Sequence, residues 1–416
     1  MMDPEHTQPA PAPKTVTIAS LFYWPEKTGI APPVQQLAEM LAEQGAQVTV
    51  LAPRPSYPEM AVFPDYRDGS RDRETHNGVS IVRFPVAPQK PGGGLVSRAV
   101  TELALAWWIW WHLITRPRPD LAVGVCPSIL AVGAMLLSVS RKTQRVAVMY
   151  DIQSGLAKSL KMARHSFVGG VIEWLERSTL NRVDRVITLS QAMSDAIRSI
   201  GVKVPISIIP PTVDDELIQP RPEAPGPITL LYSGNIGRKQ GLEQLIDLAE
   251  HLQQRQLDAV LIVRGDGNFR EELQQHAEDR GVSNLRFEPL LPVARLSEGM
   301  AQGHIHLVPQ NPAGAAFAVP SKIYSIMAAG RAFICTAEPG SPLDRLRDES
   351  DAFLTCAPNQ PRLLADAVER LMKDHVERAR LGCNGRAYVE RHAGRATCAD
   401  ADRSALHGAS LVVGRA

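Results

Sequence analysis

Three segments of the sequence bring glycine, positive charge and a helix start together. The first is Tyr232-Ser233-Gly234-Asn235-Ile236-Gly237-Arg238-Lys239-Gln240-Gly241. It lies between an apolar run and an amphipathic stretch carrying Leu242, Leu245, Ile246, Ala249 and Leu252 on one face. Glycine lets a backbone approach a phosphate closely, a helix start offers free N–H groups, and Arg238 and Lys239 add charge at the same place. That combination suits a diphosphate. It is not a Walker A loop, because Gln240 follows Lys239 where Ser or Thr would be needed, and GxGxxG is absent too. A plain strand-to-helix turn with two solvated cations would use the same residues.

The second segment, Arg264-Gly265-Asp266-Gly267, again joins a strand pattern to a helix pattern, with Arg270 where the third glycine of a dinucleotide fingerprint would fall. By itself it reads as well as a chain reversal. The third is Pro320-Ser321-Lys322-Ile323-Tyr324-Ser325-Ile326-Met327-Ala328-Ala329-Gly330. Ser321 reads as an N-cap and Gly330 as the C′ residue. Lys322 then stands in the first turn, where the helix dipole disfavours a cation. An anionic ligand would remove that conflict, and so would simple tolerance of a small cost at an exposed site. Glu338 and Asp344 read as surface carboxylates rather than acid/base catalysts.

In the first half, Tyr23 to Ile30, including Gly29, follows the first strand pattern at the edge where open α/β sheets bind ligands. Tyr150-Asp151 follows another strand and points to the same edge. Asp151 is placed to orient an acceptor hydroxyl or assist proton removal, or to serve as a turn or cap residue. No HxxxH or HExxH spacing occurs, and His304 with His306 reads as structural.

The elements that must position these residues alternate β-branched runs with helical periodicity, the pattern of βαβ units on parallel sheets. In the first half, strands are expected at 15–20, 47–52, 80–83, 121–125, 145–149, 185–189 and 206–209. Helices are expected at 33–44, 97–114, 128–140, 168–182 and 191–200. In the second, strands fall at 228–232, 259–263, 284–287, 305–308 and 332–336, and helices at 242–254, 269–279, 321–329, 361–373 and 375–391. Prolines 220, 222, 225 and 227 mark 219–227 as a stiff linker. The expected organisation is therefore a disordered arm over 1–13, a Rossmann-like domain over 14–218, the linker, a second Rossmann-like domain over 228–395, and a poorly defined tail over 396–416.

With 416 residues, 44% of them hydrophobic and 21% charged, the chain is an ordinary globular protein large enough for two cores. Lys plus Arg number 45 against 44 acids, which gives no reason to expect a nucleic-acid partner. Five widely spaced cysteines without a CxxC pair indicate neither a disulfide framework nor a zinc site, and fit a reducing cytosol. Residues 1–13 lack the basic and apolar regions of a secretory signal. The longest charge-free apolar run, Leu103–Thr115, falls short of the roughly 17 to 25 residues needed to span a bilayer.

Two features suggest a membrane surface instead. Trp107, Trp108, Trp110 and Trp111 sit together within 97–114, and Lys158, Lys161, Arg164 and His165 gather in an acid-free stretch around 158–165. Either could lie at an interface. The Trp helix could equally pack in the core, since Trp107, Trp110 and Trp111 share a face.

The sequence resembles the retaining GT-B glycosyltransferases of the family-four, or group 1, type, and within them the colanic-acid or exopolysaccharide kind. The residues that carry the resemblance are FYWPEKTGIAPPVQQLAEMLAEQGAQVTVLAP near the start, YDIQSGLA at 150–157, IIPPTVD at 208–214, YSGNIGRKQGLE at 232–243, VRGDGNFREEL at 263–273 and VPSKIYSIMAAGR at 319–331. The resemblance implies an α/β GT-B fold with two Rossmann-like domains facing a central cleft, a nucleotide-sugar donor and no obligatory metal or other cofactor. It implies transfer of a hexosyl or deoxyhexosyl group, with retention, to a saccharide or polyprenyl-diphosphate-linked acceptor. Arg238 and Lys239 would hold the donor diphosphate, and Ser321 and Lys322 would line the donor pocket. Gly29, Gly234, Asn235, Gly237, Gly265 and Gly267 would bring backbone close to it, and Asp151, Lys322 and Arg238 would serve the chemistry. A cytoplasmic protein, peripheral on the inner membrane face, is the expected setting.

One departure stands out. Where many relatives carry Glu-x7-Glu, this chain has Phe317 and Ser325. A non-catalytic scaffold of the same fold within a polysaccharide-synthesis complex is therefore the rival reading. An NAD-dependent dehydrogenase is disfavoured because neither half supplies the fingerprint.

Overall fold

The structure, a computed structural model, describes residues 14–27, 29–57, 60–88, 94–150, 167–311 and 319–406. The expected arm over 1–13, the 158–165 stretch, Asp151 and Phe317 lie outside the described residues. The chain divides into two compact units, one over 1–209 with 399–416 and one over 210–398.

In the first unit the elements are β1 Thr15–Ala19, α1 Ala31–Glu43, β2 Gln47–Pro53, β3 Arg73–His76, β4 Val79–Phe84, α2 Gly94–Ile114 and β5 Leu121–Cys126. These are followed by α3 Ile129–Ser138, β6 Gln144–Met149, α4 Phe167–Leu180, β7 Arg185–Thr188, α5 Gln191–Ser199 and β8 Ile206–Ile208. The sheet order is β3-β4-β2-β1-β5-β6-β7-β8, parallel except for β3, which runs antiparallel to β4 along the edge. β3 escapes sequence reading because Arg-Glu-Thr-His is polar and short. β5, LAVGVC, is buried at all six positions, as a central parallel strand covered on both faces must be. A Cβ at Gly124 would meet Val132 Cγ2 at 2.8 Å, so glycine there lets α3 lie close on the strand.

α2 buries Leu105, Ile109 and Leu113 in this core. Those three lie opposite the face that carries Trp107 and Trp111, and both tryptophans are exposed. Core packing of the Trp107/Trp110/Trp111 face is thus overturned for Trp107 and Trp111, which are turned out, whereas Trp110 packs partly buried against the core that the branched aliphatic side chains fill. Trp108 instead stacks on Phe84 with ring centroids 5.6 Å apart.

The second unit contains β9 Ile228–Ser233, α6 Glu243–Gln254, β10 Ala259–Arg264, α7 Arg270–Asp279, β11 Leu285–Glu288, α8 Leu296–Ala301 and β12 Ile305–Val308. It continues through α9 Lys322–Ala328, β13 Ala332–Thr336, α10 Pro342–Ser350, β14 Leu354–Cys356, α11 Pro361–Lys373 and α12 His375–His392. The order β11-β10-β9-β12-β13-β14 is the doubly wound arrangement, with a switch point between β9 and β12.

Residues 219–227, read above as a stiff linker, are bonded to this unit along their length. Arg331 donates to the carbonyls of Arg221 and Pro222, Arg378 pairs with Glu223 at 2.9 Å, and His304 Nε2 lies 2.9 Å from Ala224 O. The proline run is thus anchored rather than free.

The tail differs from expectation as well. α13, Arg395–Leu406, is helical and buries Cys398, Ala405 and Leu406. Its apolar residues are too few to announce a periodic face.

Candidate functional site

The 232–241 and 264–267 segments, separate in the sequence, form one structure beside the β9/β12 switch point. Gly234 N donates to Arg264 O at 2.9 Å, Ile236 N to Asp266 O at 2.8 Å, and Phe269 N to Ile236 O at 3.2 Å. A Cβ at Gly265 would stand 1.9 Å from Gly234 O, and one at Gly267 2.2 Å from Ile236 O. The glycines at 265 and 267 are therefore needed for the close approach of the two turns to each other. Arg264 supports the arrangement from below, buried and bonded to Glu288 Oε2 at 2.7 Å and Gly299 O at 2.9 Å.

Lys322, in the first turn of α9, reaches the same place. Its ammonium lies 3.9 Å from the centroid of the Tyr232 ring. A Cβ at Gly234 would meet that Nζ at 2.9 Å, so the lysine occupies the space a side chain would need. Burial lowers the Lys322 pKa to about 8, an effect only partly offset by the nearby Cys335 thiol. The exposure of the residue as a whole is intermediate, so it is the ammonium end that is withdrawn from water. No carboxylate reaches it within ion-pair distance among the described residues. A desolvated ammonium facing a glycine turn, with no carboxylate on it among the described residues, has the charge and the position to accept an anion as partner.

Ser321 does not cap α9, contrary to expectation. It already has helical dihedrals, φ −58° and ψ −28°, and accepts no side-chain bond, so the helix opens on the backbone carbonyls of Pro320 and Ser321 instead. Gly330 does take the left-handed C′ conformation, at φ +63°.

Arg238 is exposed, ion-paired with Glu272 and stacked over Phe269 with Cζ 4.8 Å from the ring centroid. As it stands, its charge is shared with an acid on α7. Gly237 precedes the short 3₁₀ turn Arg238–Gln240. Asn235 contributes its carbonyl, which accepts from Tyr232 Oη at 2.6 Å. Lys239 lies in that same turn, and its side chain is outside the described residues.

Sequence reading passed over Tyr232 as a positioning residue, as well as three glutamines. Gln244 Nε2 donates to Gly241 O and Gln310 O, both at 3.1 Å, and its Oε1 accepts from Asn359 N at 2.9 Å, tying three loops together. The Oε1 atoms of Gln240 and Gln310 are buried without a hydrogen-bond partner among the described residues. Nothing in the sequence pattern distinguishes these from surface amides.

In the first unit, Gly29 adopts φ +68° with open space around a would-be Cβ. The loop before it is fixed by Glu26. That buried carboxylate accepts from Tyr23 N at 3.0 Å and from Ser56 N and Tyr57 N, each at 2.9 Å. Burial raises its pKa despite the three bonds. His304 and His306 are structural, as expected: His304 Nδ1 accepts from Thr229 N at 3.0 Å, and His306 Nε2 lies 2.9 Å from Met300 O. Asp344 caps its own turn by accepting from Gly340 N.

Comparison with known proteins completes the picture. A glycosyl transferase 4-like domain model matches residues 28–212, and the glycosyl transferases group 1 model matches 213–388. The chain belongs to the group 1 glycosyltransferases. It is 29% identical over 361 residues to the putative colanic acid biosynthesis glycosyl transferase WcaI of Escherichia coli K12, covering 82% of this chain and 88% of that one.

The fold is GT-B. Among solved structures, a sucrose-phosphate synthase from Thermosynechococcus elongatus has a TM-score of 0.72 at 18% identity, covering 93% of this chain and 96% of the other. Anabaena HepE in complex with UDP-glucose has 0.66 at 15%, covering 95% and 99%.

Proposed function

We propose that this glycosyltransferase moves a sugar from a nucleotide-sugar to a saccharide acceptor, free or carried on a polyprenyl diphosphate, in exopolysaccharide or related cell-surface glycan synthesis. The observation that carries the donor reading is the Lys322 ammonium, desolvated beside Gly234 and without an ion-pair partner among the described residues. A diphosphate would replace the missing counter-charge. It would also draw on Arg238 once that guanidinium leaves Glu272, and on Lys239 from the same turn. Fixed positive charge of this kind stabilises the negative charge that develops on a leaving diphosphate. HepE, a neighbour in fold, was solved with UDP-glucose, and WcaI is named for colanic acid synthesis; both agree with this reading.

Retention, a hexosyl or deoxyhexosyl donor group, independence of metal and the acceptor role of Asp151 belong to the same proposal. A lipid-carried acceptor would set the protein against a membrane as a peripheral partner. Among the described residues no helix is long and apolar enough to cross one.

The test is a donor screen with UDP-, GDP- and ADP-sugars, read by thermal shift and by diphosphate release against membrane extract. A donor that stabilises the wild type and fails to stabilise Lys322→Met supports the reading. No shift and no release with any donor would remove it.

A second reading, a donor-binding scaffold without turnover, is favoured by Ser325, which stands on α9 where many relatives carry a glutamate. It expects donor binding in that screen and no transfer.

A further inference from the structure

α2 is apolar on both sides. Leu105, Ile109 and Leu113 face the core, whereas Val100, Leu103, Trp107, Trp111 and Ile114 are all between 45% and 60% exposed. At about 100° per residue those five fall within an arc of about 80°, and they run for about 21 Å along the helix. The stripe is not isolated. α3 packs against both α2 and α4, and carries Leu137 at 81% exposed, while α4 presents Trp174 at 55%. Apolar surface spread over three adjacent helices is more than a monomer scatters by chance, and it marks a contact face.

The charges around the face decide what it contacts. α2 is followed by Arg116 and Arg118, and α3 by Arg141 and Lys142; all four are exposed and without an ion-pair partner among the described residues. Exposed acid is scarce. Glu102, the one acid on α2, is 5% exposed and paired with Arg98 at 2.9 Å, α3 has none, and of the two acids on α4 Glu176 is 1% exposed and Glu173 half-buried. A second copy of this chain is a poor occupant, because a two-fold contact would set four cations against themselves with only the half-buried Glu173 among the acids of these helices to answer them.

We infer that this face of the first unit docks on an anionic lipid bilayer. The tryptophans sit at headgroup depth, where indole rings are most favourable, and the cations at the ends of α2 and α3 meet lipid phosphates. The stripe is an interfacial anchor rather than a span. The inference rests on the peripheral reading given above and narrows the 97–114 helix to a defined surface: Trp107 and Trp111 belong to it, whereas Trp108 is partly buried against Phe84.

The experiment is flotation of the full-length protein with phosphatidylcholine vesicles, alone or containing 30% phosphatidylglycerol. The wild type should bind the anionic vesicles at least tenfold more strongly than the neutral ones, and 0.5 M salt should weaken that binding. Trp107→Ser/Trp111→Ser should reduce the partition coefficient at least tenfold, and Arg116→Glu/Arg118→Glu several-fold. Both variants should keep the wild-type thermal shift with nucleotide-sugar, which separates loss of docking from loss of the donor site. Quenching of wild-type tryptophan fluorescence by brominated lipid should occur without any substitution, so a misfolded variant does not shield the proposal. No flotation of the wild type, undiminished flotation of the tryptophan variant, or conversion of a wild-type dimer to a monomer by that variant would overturn it.

Discussion

The Lys322 ammonium lies over the ring of Tyr232, 3.9 Å from its centroid, and the same tyrosine donates its hydroxyl to Asn235 O at 2.6 Å. One side chain thus holds both the cation and the glycine turn that faces it. Tyr232→Phe keeps the ring under Lys322 and removes the bond to the turn. A single buried hydrogen bond is worth about 1 kcal/mol net, so stability should fall by about that much, and nucleotide-sugar affinity by up to about fivefold as the turn loosens. Tyr232→Leu removes the ring as well, and should cost more in both, about 2 to 4 kcal/mol in stability because the residue is fully buried. Calorimetric titration and a melting curve on the two variants check this, and equal affinities would show that the turn does not need the tie.

A second consequence concerns pH. Burial holds the Lys322 pKa at about 8, below its ordinary 10.5. The unliganded site is charged below about pH 8, and a bound diphosphate would stabilise that charge. Donor affinity should therefore be flat below pH 8 and weaken by up to tenfold per unit above it. Folding has the opposite sign: between about pH 8 and 10.5 the unfolded chain holds this proton and the native state does not, so this group's share of stability rises with pH. Lys322→Met should show a flat affinity profile, weaker at pH 7, and a melting temperature above wild type at pH 7 that converges on it by pH 10.

The glycines divide by what surrounds them. Gly265→Ala would drive a Cβ to 1.9 Å from Gly234 O, a backbone atom with nowhere to go, and should destabilise by more than 2 kcal/mol or prevent folding. Gly29→Ala meets nothing within 4 Å and pays only for a non-glycine residue at φ +68°, about 1 kcal/mol. Comparing the two by denaturant unfolding tests whether 265 is fixed by packing rather than by a ligand.

That contrast also explains how much of the molecule the sequence disclosed. The central strands were legible because a parallel strand buried on both faces must be a run such as LAVGVC, and the long helices because their apolar residues recur on one side. β3 and α13 were not, since an edge strand and a half-buried terminal helix need few apolar residues. The glycine turns were visible as turns, but their partnership was not. Nothing along the chain says that Gly265 makes room for the carbonyl of Gly234 rather than for a phosphate. The outer Trp107 and Trp111 were found by composition, and only the packing of Leu105, Ile109 and Leu113 shows which way they face.

The pairing of Arg238 with Glu272 yields the most discriminating prediction. Both side chains are more than half exposed, so the ion pair itself adds little to stability. For the donor, however, Glu272 is a competitor: it occupies the guanidinium that would otherwise meet a diphosphate. If Arg238 contributes to the donor site, Glu272→Ala should strengthen nucleotide-sugar binding several-fold while leaving the melting temperature within a degree or two. Arg238→Ala should weaken binding by a similar or larger factor, and the double variant should resemble Arg238→Ala alone, because removing the competitor is of no use once the cation is gone. Titration of the same nucleotide-sugar into all three variants closes the cycle. Unchanged binding in Arg238→Ala, or weaker binding in Glu272→Ala, would place Arg238 outside the donor site and leave Lys322 as its cation.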